Sequence, residues 1–280
     1  MRPRRARPLE PAAPRHRGWL WAGLLIGALG AVVVSAPAAW LARGVSRLSG
    51  ERLLLAAPEG SVWTGSAVVV AAGGPGSQAA RALPGRLSWT LRPQGLGLRL
   101  SLSHDCCLSA GTHLTLQPGW GALQVAVDAP AGPPSPDGLA PVGQWPAAWL
   151  VGFGTPWNTL QPGGALRLAT RDLRLHWVQG RFRMDGEARL DLQDFSSRLV
   201  TLPRLGSYRL AVLGSDSGPT RLQLTTLDGA LRLQADGTLG TGGLRLRGEA
   251  SAAATEQGAL DNLLNIIGRR QGARSIISIG

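Results

Sequence analysis

From Gly50 onward the chain alternates between apolar and polar residues. In GALRLATRDLRLHW, Leu166 and Leu168, then Leu173, Leu175 and Trp177, are interleaved with polar or charged neighbours. Leu96, Leu98, Leu100 and Leu102 repeat the pattern, as do the pairs Leu222 and Leu224, Leu231 and Leu233, and Leu244 and Leu246. A period of two buries one face of a strand and leaves the other wet. Arg167, Arg174, Arg232, Arg245 and Arg247 fall on the outer face. Turn signals separate the runs: Pro84-Gly85, Pro118-Gly119, Pro162-Gly163-Gly164, Asp228-Gly229, Asp236-Gly237 and Gly242-Gly243. Spacings of about 8–12 residues between turns predict antiparallel meanders. The expected fold class is all-β: an antiparallel, strongly twisted or curved sheet, as a meander, an open barrel or a groove. Composition agrees, since 39 Gly and 20 Pro accompany 44% hydrophobic residues. That is too apolar for a disordered chain and too punctuated for a helical one.

One segment breaks the pattern. From Trp19 to Leu41 no residue is charged. About 23 residues at ~1.5 Å each can cross a hydrocarbon core of ~30 Å. Trp19 and Trp21 at one end and Trp40 at the other suit the membrane–water interface. Arg2, Arg4, Arg5, Arg7, Arg15 and Arg17 precede the segment against Glu10, a net of 6 − 1 = +5. This asymmetry predicts a cytoplasmic N-terminus and an exported remainder. The expected organisation is an Arg-rich tail over 1–18, a transmembrane helix over 19–41 and a periplasmic β-domain over 42–280. A subdivision near 130–140 is allowed by the linker-like PAGPPSPDGLA. The competing reading is a cleaved signal peptide, for which Ala36-Pro37-Ala38 offers an A-x-A site.

Two helical passages are expected within the β-domain. A short helix runs from Pro146 to Phe153 and ends near Gly154 and Pro156, with Trp145, Trp149 and Trp157 as core packing. Leu260, Leu263, Leu264 and Ile267 lie at i, i+3, i+4 and i+7, which marks a C-terminal amphipathic helix. Thr255 is its expected N-cap and Gly268 its stop. The final SIISI reads as a short strand or an apolar tail. PEGSVWTGSAVVVA followed by LPGRLSWTLRP shares its texture with LDGALRLQADGTLGTGGLRLRGEA, a weak internal repeat.

The residues exclude several functions. All 29 basic residues are Arg, so the phosphate-loop lysine is missing. Net charge is +12, and the remainder beyond the tail carries 12 − 5 = +7, a mildly basic domain. Its arginines alternate with leucines rather than aromatic platforms, which argues against nucleic-acid binding. No zincin, nucleophile-elbow or dinucleotide motif occurs. Of the histidines, His16 lies in the tail and His176 on an exposed strand position; His104 and His113 complete the set. Asp185 and Glu187 share a strand face and read as surface charge. Cys106 and Cys107 are adjacent; the plain reading is two reduced thiols, with a redox switch or an intermolecular bridge as the alternative. His104-Asp105 beside Cys106 is a poor nucleophile–base arrangement, because neighbours on a strand point to opposite faces. The chain is therefore expected to be no enzyme, with no catalytic, cofactor or metal residues. Trp63, Trp89, Trp120, Val68 and Val70 are expected to help the leucine rows close a core.

The order of elements resembles one family. Pro37-Ala38-Ala39-Trp40-Leu41 follows the apolar segment, and RLLLAAPEGSVWTGSA, LPGRLSWTLRP, LGSYRL, TLDGALRLQADGTL, LRLRGEASAA and NLLNIIGRRQGARSIISIG follow in turn. The series is similar to protein N of type II secretion systems, also called general secretion pathway protein N. That resemblance implies a single-pass inner-membrane accessory component of the assembly platform, whose machine exports folded proteins. It implies proteins L and M as partners, with protein C and the secretin as further candidates, and carries over no catalytic residues. The rival reading is a periplasmic lipid-binding groove of the AsmA type, since leucine rows serve a closed core or an open trough equally.

Overall fold

The computed structural model describes residues 17–128, 137–215, 218–240 and 243–280. The Arg-rich tail up to position 16 and positions 130–136 of the expected linker lie outside them. The chain divides into two units, Met1–Ala36 and Pro37–Gly280.

In the first unit, α1 spans Arg17–Val34. Among the described residues no helix is long and apolar enough to cross a membrane. The expected single helix over 19–41 is divided. Pro37 cannot donate the amide hydrogen that a continuing helix needs, and its extended backbone caps a second helix, α2 (Ala38–Leu48). Pro37 also forms an isolated antiparallel bridge with Ser61. Ala38 and Leu41 pack with Ala67, Trp89, Leu55, Leu100 and Leu102. Trp40, expected at a membrane boundary, is half-exposed on α2.

The second unit is one antiparallel sheet. Its first half holds β1 (Leu53–Gly60), β2 (Thr64–Ala72), β3 (Ala80–Ala82), β4 (Leu87–Gln94), β5 (Gly97–His104), β6 (His113–Gly119), β7 (Ala122–Asp128) and β8 (Ala140–Pro146). Its second half holds β9 (Gly163–Val178), β10 (Arg181–Ser196), β11 (Gly206–Leu213), β12 (Thr220–Gly229), β13 (Leu231–Gly240), β14 (Gly243–Ala252), β15 (Arg269–Gln271) and β16 (Arg274–Ile279). The pairing order is β1-β2-β4-β5-β6-β7-β9-β10-β11-β12-β13-β14-β16-β15, with β3 on β2 and β8 on β9. Among the described residues β1 and β15 do not pair, so the sheet is open. A 3₁₀ turn at Ala147–Phe153 and a short helix α3 (Trp157–Leu160) link β8 to β9. The expected helix is thus present, stopped at Gly154, and Trp145, Trp149 and Trp157 are half-buried.

Register carries the alternation across the whole sheet. Leu168, Leu190, Leu210, Leu224, Ala235, Gly248 and Ile277 form one row over seven strands. The neighbouring row, on the other face, reads Arg167, Asp191, Arg209, Thr225, Gln234 and Glu249. One face is apolar and the other polar, as period-two patterning requires. Bulges interrupt the register at Asp185/Glu187, at Gln193/Ser196 and at Ala56/Glu59. Each adds local right-handed twist.

The apolar face is covered at one end of the strands only. There α4 (Gln257–Ile267) buries Leu260, Leu263 and Leu264 against Phe195, Leu205, Tyr208, Leu231 and Ala250. Helix α2 covers the β1–β5 side of the same face. In between, Leu98, Leu114, Leu116, Leu175, Leu190 and Leu210 are half-buried rather than buried. Three expectations need correction. Thr255 is not a cap: it sits in a 3₁₀ turn, and the N-cap Glu256 makes no side-chain cap bond. Trp120 closes no core, because it lies fully exposed at a hairpin tip. Val68 and Val70 pair opposite Ala56 and Leu54, on the face away from Trp89 and Ala67.

Candidate functional site

The polar face carries an ionic network where β9, β10 and β11 meet. The Asp172–Gly186 bulge sets Glu187 opposite Arg171. Glu187 accepts from Arg171 and from Arg189, and Arg189 also donates to Asp137 at 2.5 Å. Arg209 clamps Asp191 with two bonds of 2.8 Å. The Arg189 hydrogen bond holds the Asp137 carboxyl below its usual range, and Asp191 raises the Arg209 guanidinium. Asp137, Arg189, Asp191 and Arg209 border a cleft of about 530 Å³ that also touches Cys106 and Gln193. Arg189 and Arg209 both have carboxylate partners, whereas Arg167, which also lines the cleft, donates to the neutral Gln144 side chain. Bidentate, mutually satisfied pairs of this kind fix strand register. Glu187, expected as surface charge, is 8% exposed. Asp137 was concealed in the Pro-rich passage, because only the folded register shows that it reaches Arg189.

His176 and Asp185 approach at 2.9 Å without hydrogen-bond alignment. They lie diagonally across β9 and β10 on the polar face, His176 paired with Arg183 and Asp185 with Arg174, and His176, expected to be exposed, is half-buried.

The second cluster follows β5. Cys106 and Cys107 are joined as a vicinal disulfide, which corrects the expectation of two reduced thiols. The turn at 105–107 brings the adjacent sulfurs together, which the two-face geometry of a regular strand would not. Cys107 and His104 are buried and Cys106 is exposed. The His104 Nδ1 accepts the Cys106 amide at 3.3 Å, while its Nε2 is buried without a partner. The ligand atoms of His104, Cys106 and Cys107 lie within 4.8 Å of one another. As a disulfide the sulfurs are not thiolates, the form that attacks substrates or ligates metals. Burial pushes the imidazole pKa down, and Asp105 opposes this weakly.

That direction gives a prediction. Above about pH 6.5 His104 is neutral folded and unfolded alike. Below it the unfolded chain binds a proton that the folded chain resists, so stability is lost as pH falls toward the folded value. Urea midpoints compared at neutral and mildly acidic pH should show this loss, and His104→Gln should show less of it. Equal slopes in both proteins would contradict the assignment.

The open ends of the sheet are a third candidate. On β1, Leu53–Ala56 keeps a free edge, while Ala57 (φ 45°), Pro58 and Glu59 blunt the rest. At the other end β15 has three residues and carries Arg269 and Arg270. Unselective pairing is hindered, and a short stretch stays open to strand addition.

An open sheet with one apolar face, capped by α2 and α4, does not by itself name a function. The family model described as type II secretion system (T2SS), protein N, matches residues 51–277. The chain belongs to the protein N family of the type II secretion system. The match begins two residues before β1 and ends within β16, so it covers nearly the whole sheet. Comparisons with curated proteins and with solved structures returned no match. Membership of the protein N family makes the chain a component of the type II secretion machinery, working with other proteins of that system.

Proposed function

We propose that this family member is an accessory, non-enzymatic component of the inner-membrane assembly platform. In this reading the apolar segment from Trp19 anchors it with the N-terminus in the cytoplasm, and the sheet unit stands in the periplasm. The sheet binds other secretion components, with proteins L and M first and protein C and the secretin as further candidates, and so supports export of folded proteins across the outer membrane. The observation that carries the reading is the open sheet of a secretion-family protein, with a free stretch on β1 and a polar face rich in arginine. Free edges and charged faces suit strand addition and steered docking. An anchor raises the local concentration of the module, so individual contacts need not be strong.

Crosslinking and pull-down from native membranes tests it. Platform proteins should be recovered with the wild type and lost in part with Arg245→Glu/Arg247→Glu, at unchanged abundance. Replacing His104, Cys106 and Cys107 together should leave secretion near normal when the protein accumulates. Loss of secretion with intact folding would refute the non-enzymatic reading. A second reading, an AsmA-type lipid groove, is favoured by the half-buried central leucines, which no second layer covers among the described residues. Stoichiometric phospholipid in extracts of detergent-free protein, without secretion partners, would favour it.

A further inference from the structure

Three hairpin tips stand side by side at the end of the sheet opposite α4. They are Gly95-Leu96 between β4 and β5, Trp120-Gly121 between β6 and β7, and Gln179-Gly180 between β9 and β10. The last two are tied directly, since the Gln179 amide donates to the Gly121 carbonyl at 3.0 Å. Leu96 is 99% exposed and Trp120 105%. Val178 is 50% exposed, and Trp177 packs on Phe182 with ring centroids 5.3 Å apart, both rings partly open to solvent. Elsewhere on the sheet the most exposed large apolar side chains, Leu227 and Ile279, reach 47%, so the two that are fully exposed both sit at tips.

The charges around the tips are of one sign. The stretches 92–99, 117–124 and 177–183 contain Arg92, Arg99, Arg181 and Arg183 and no acidic residue. Arg92 and Arg99 sit directly opposite each other across β4 and β5, and neither joins a salt bridge among the described residues. Like charges in that position disfavour the pairing unless an anion lies near. Beside the third tip, a cleft of about 930 Å³ holds Arg181, Arg183 and Arg245, its one carboxylate among the described residues, Asp185, being beside His176.

We propose that these tips dock on an anionic lipid surface. Trp120 and Leu96 enter the headgroup boundary, where tryptophan is favoured, and the arginines meet lipid phosphates. A fluid surface suits convex tips, because it needs no matching pocket. The inference goes beyond the platform role and does not depend on it.

The native cysteines are bonded to each other, so Trp120→Cys or Leu96→Cys supplies the one free thiol for an environment-sensitive NBD label. The full chain is reconstituted into phosphatidylcholine vesicles and into vesicles half phosphatidylglycerol. Labels at 96 and 120 should brighten several-fold with phosphatidylglycerol and be quenched by spin-labelled lipid. A label at Gln257→Cys, on α4, should not respond. Arg92→Glu/Arg99→Glu/Arg181→Glu/Arg183→Glu should abolish the lipid dependence with circular dichroism unchanged. Equal emission in both vesicle types, or a photo-crosslink from position 120 to a second copy of the chain or to another protein, would overturn the proposal.

Discussion

Leu264→Ala should lower stability by about 2–5 kcal/mol, the range for truncating a fully buried leucine. Leu264 is 1% exposed and lies with Leu260 and Leu263 in the cluster that closes the end of the sheet. Helix α4 has eleven residues and no side-chain N-cap bond. A helix that short is marginal alone, so packing holds it in place. Its last turn is also tied to the sheet, because the Ser275 hydroxyl donates to the Leu264 carbonyl at 2.6 Å in a buried position. A cavity at Leu264 loosens that tie together with the apolar contact. Urea unfolding of the purified chain, followed by circular dichroism, measures the loss. Leu96→Ala, at a 99% exposed tip, is the control and should shift stability by less than about 0.5 kcal/mol. Equal losses in the two variants would mean that α4 is not structural.

Much of this fold was legible in the sequence for a simple reason: a period of two is a property of the backbone and needs no tertiary knowledge. The leucine rows followed from it, and the helix carrying Leu260, Leu263 and Leu264 from an i, i+3, i+4 spacing that is equally local; Asp236-Gly237, expected as a turn, instead lies inside β13, paired with Arg247 and Leu246. What stayed hidden depends on register or long-range contact. Trp89 is buried beneath α2 through a long-range contact, whereas the turn signal Pro118-Gly119 beside Trp120 already marked a tip. Glu187 looked like surface charge until the bulge set it between Arg171 and Arg189. The segment 19–41 read as one span because hydropathy does not register that Ala38 and Leu41 have partners on β2, β4 and β5. The vicinal disulfide depends on a turn conformation that composition cannot announce. The empty motif search for an active site was a local question, and the structure adds the ionic network and the tips, neither of which has a motif.

The same bulge sets up the sharpest backbone test. Gly186→Ala should cost about 2–5 kcal/mol, from a left-handed backbone penalty of ~1–2 kcal/mol plus overpacking of ~1–3 kcal/mol. Gly186 has φ 83°, and an added Cβ would stand 2.3 Å from the Asp172 carbonyl oxygen and 2.6 Å from that of Arg171. Both obstacles are backbone, so neither can swing aside. Gly180 provides an internal control on the same hairpin: its φ is 77°, and nothing lies within 4 Å of its added Cβ. Gly180→Ala therefore keeps the backbone term and lacks the collision, at about 1–2 kcal/mol. Unfolded-state effects of Gly→Ala are shared by both and cancel in the difference. To accommodate the methyl group, β10 must move away from β9 where Arg171 faces Glu187. The larger loss should therefore come with faster amide exchange in β9 and β10, read by hydrogen-exchange mass spectrometry. Equal costs at positions 186 and 180 would show that the bulge is not held as tightly as its geometry indicates.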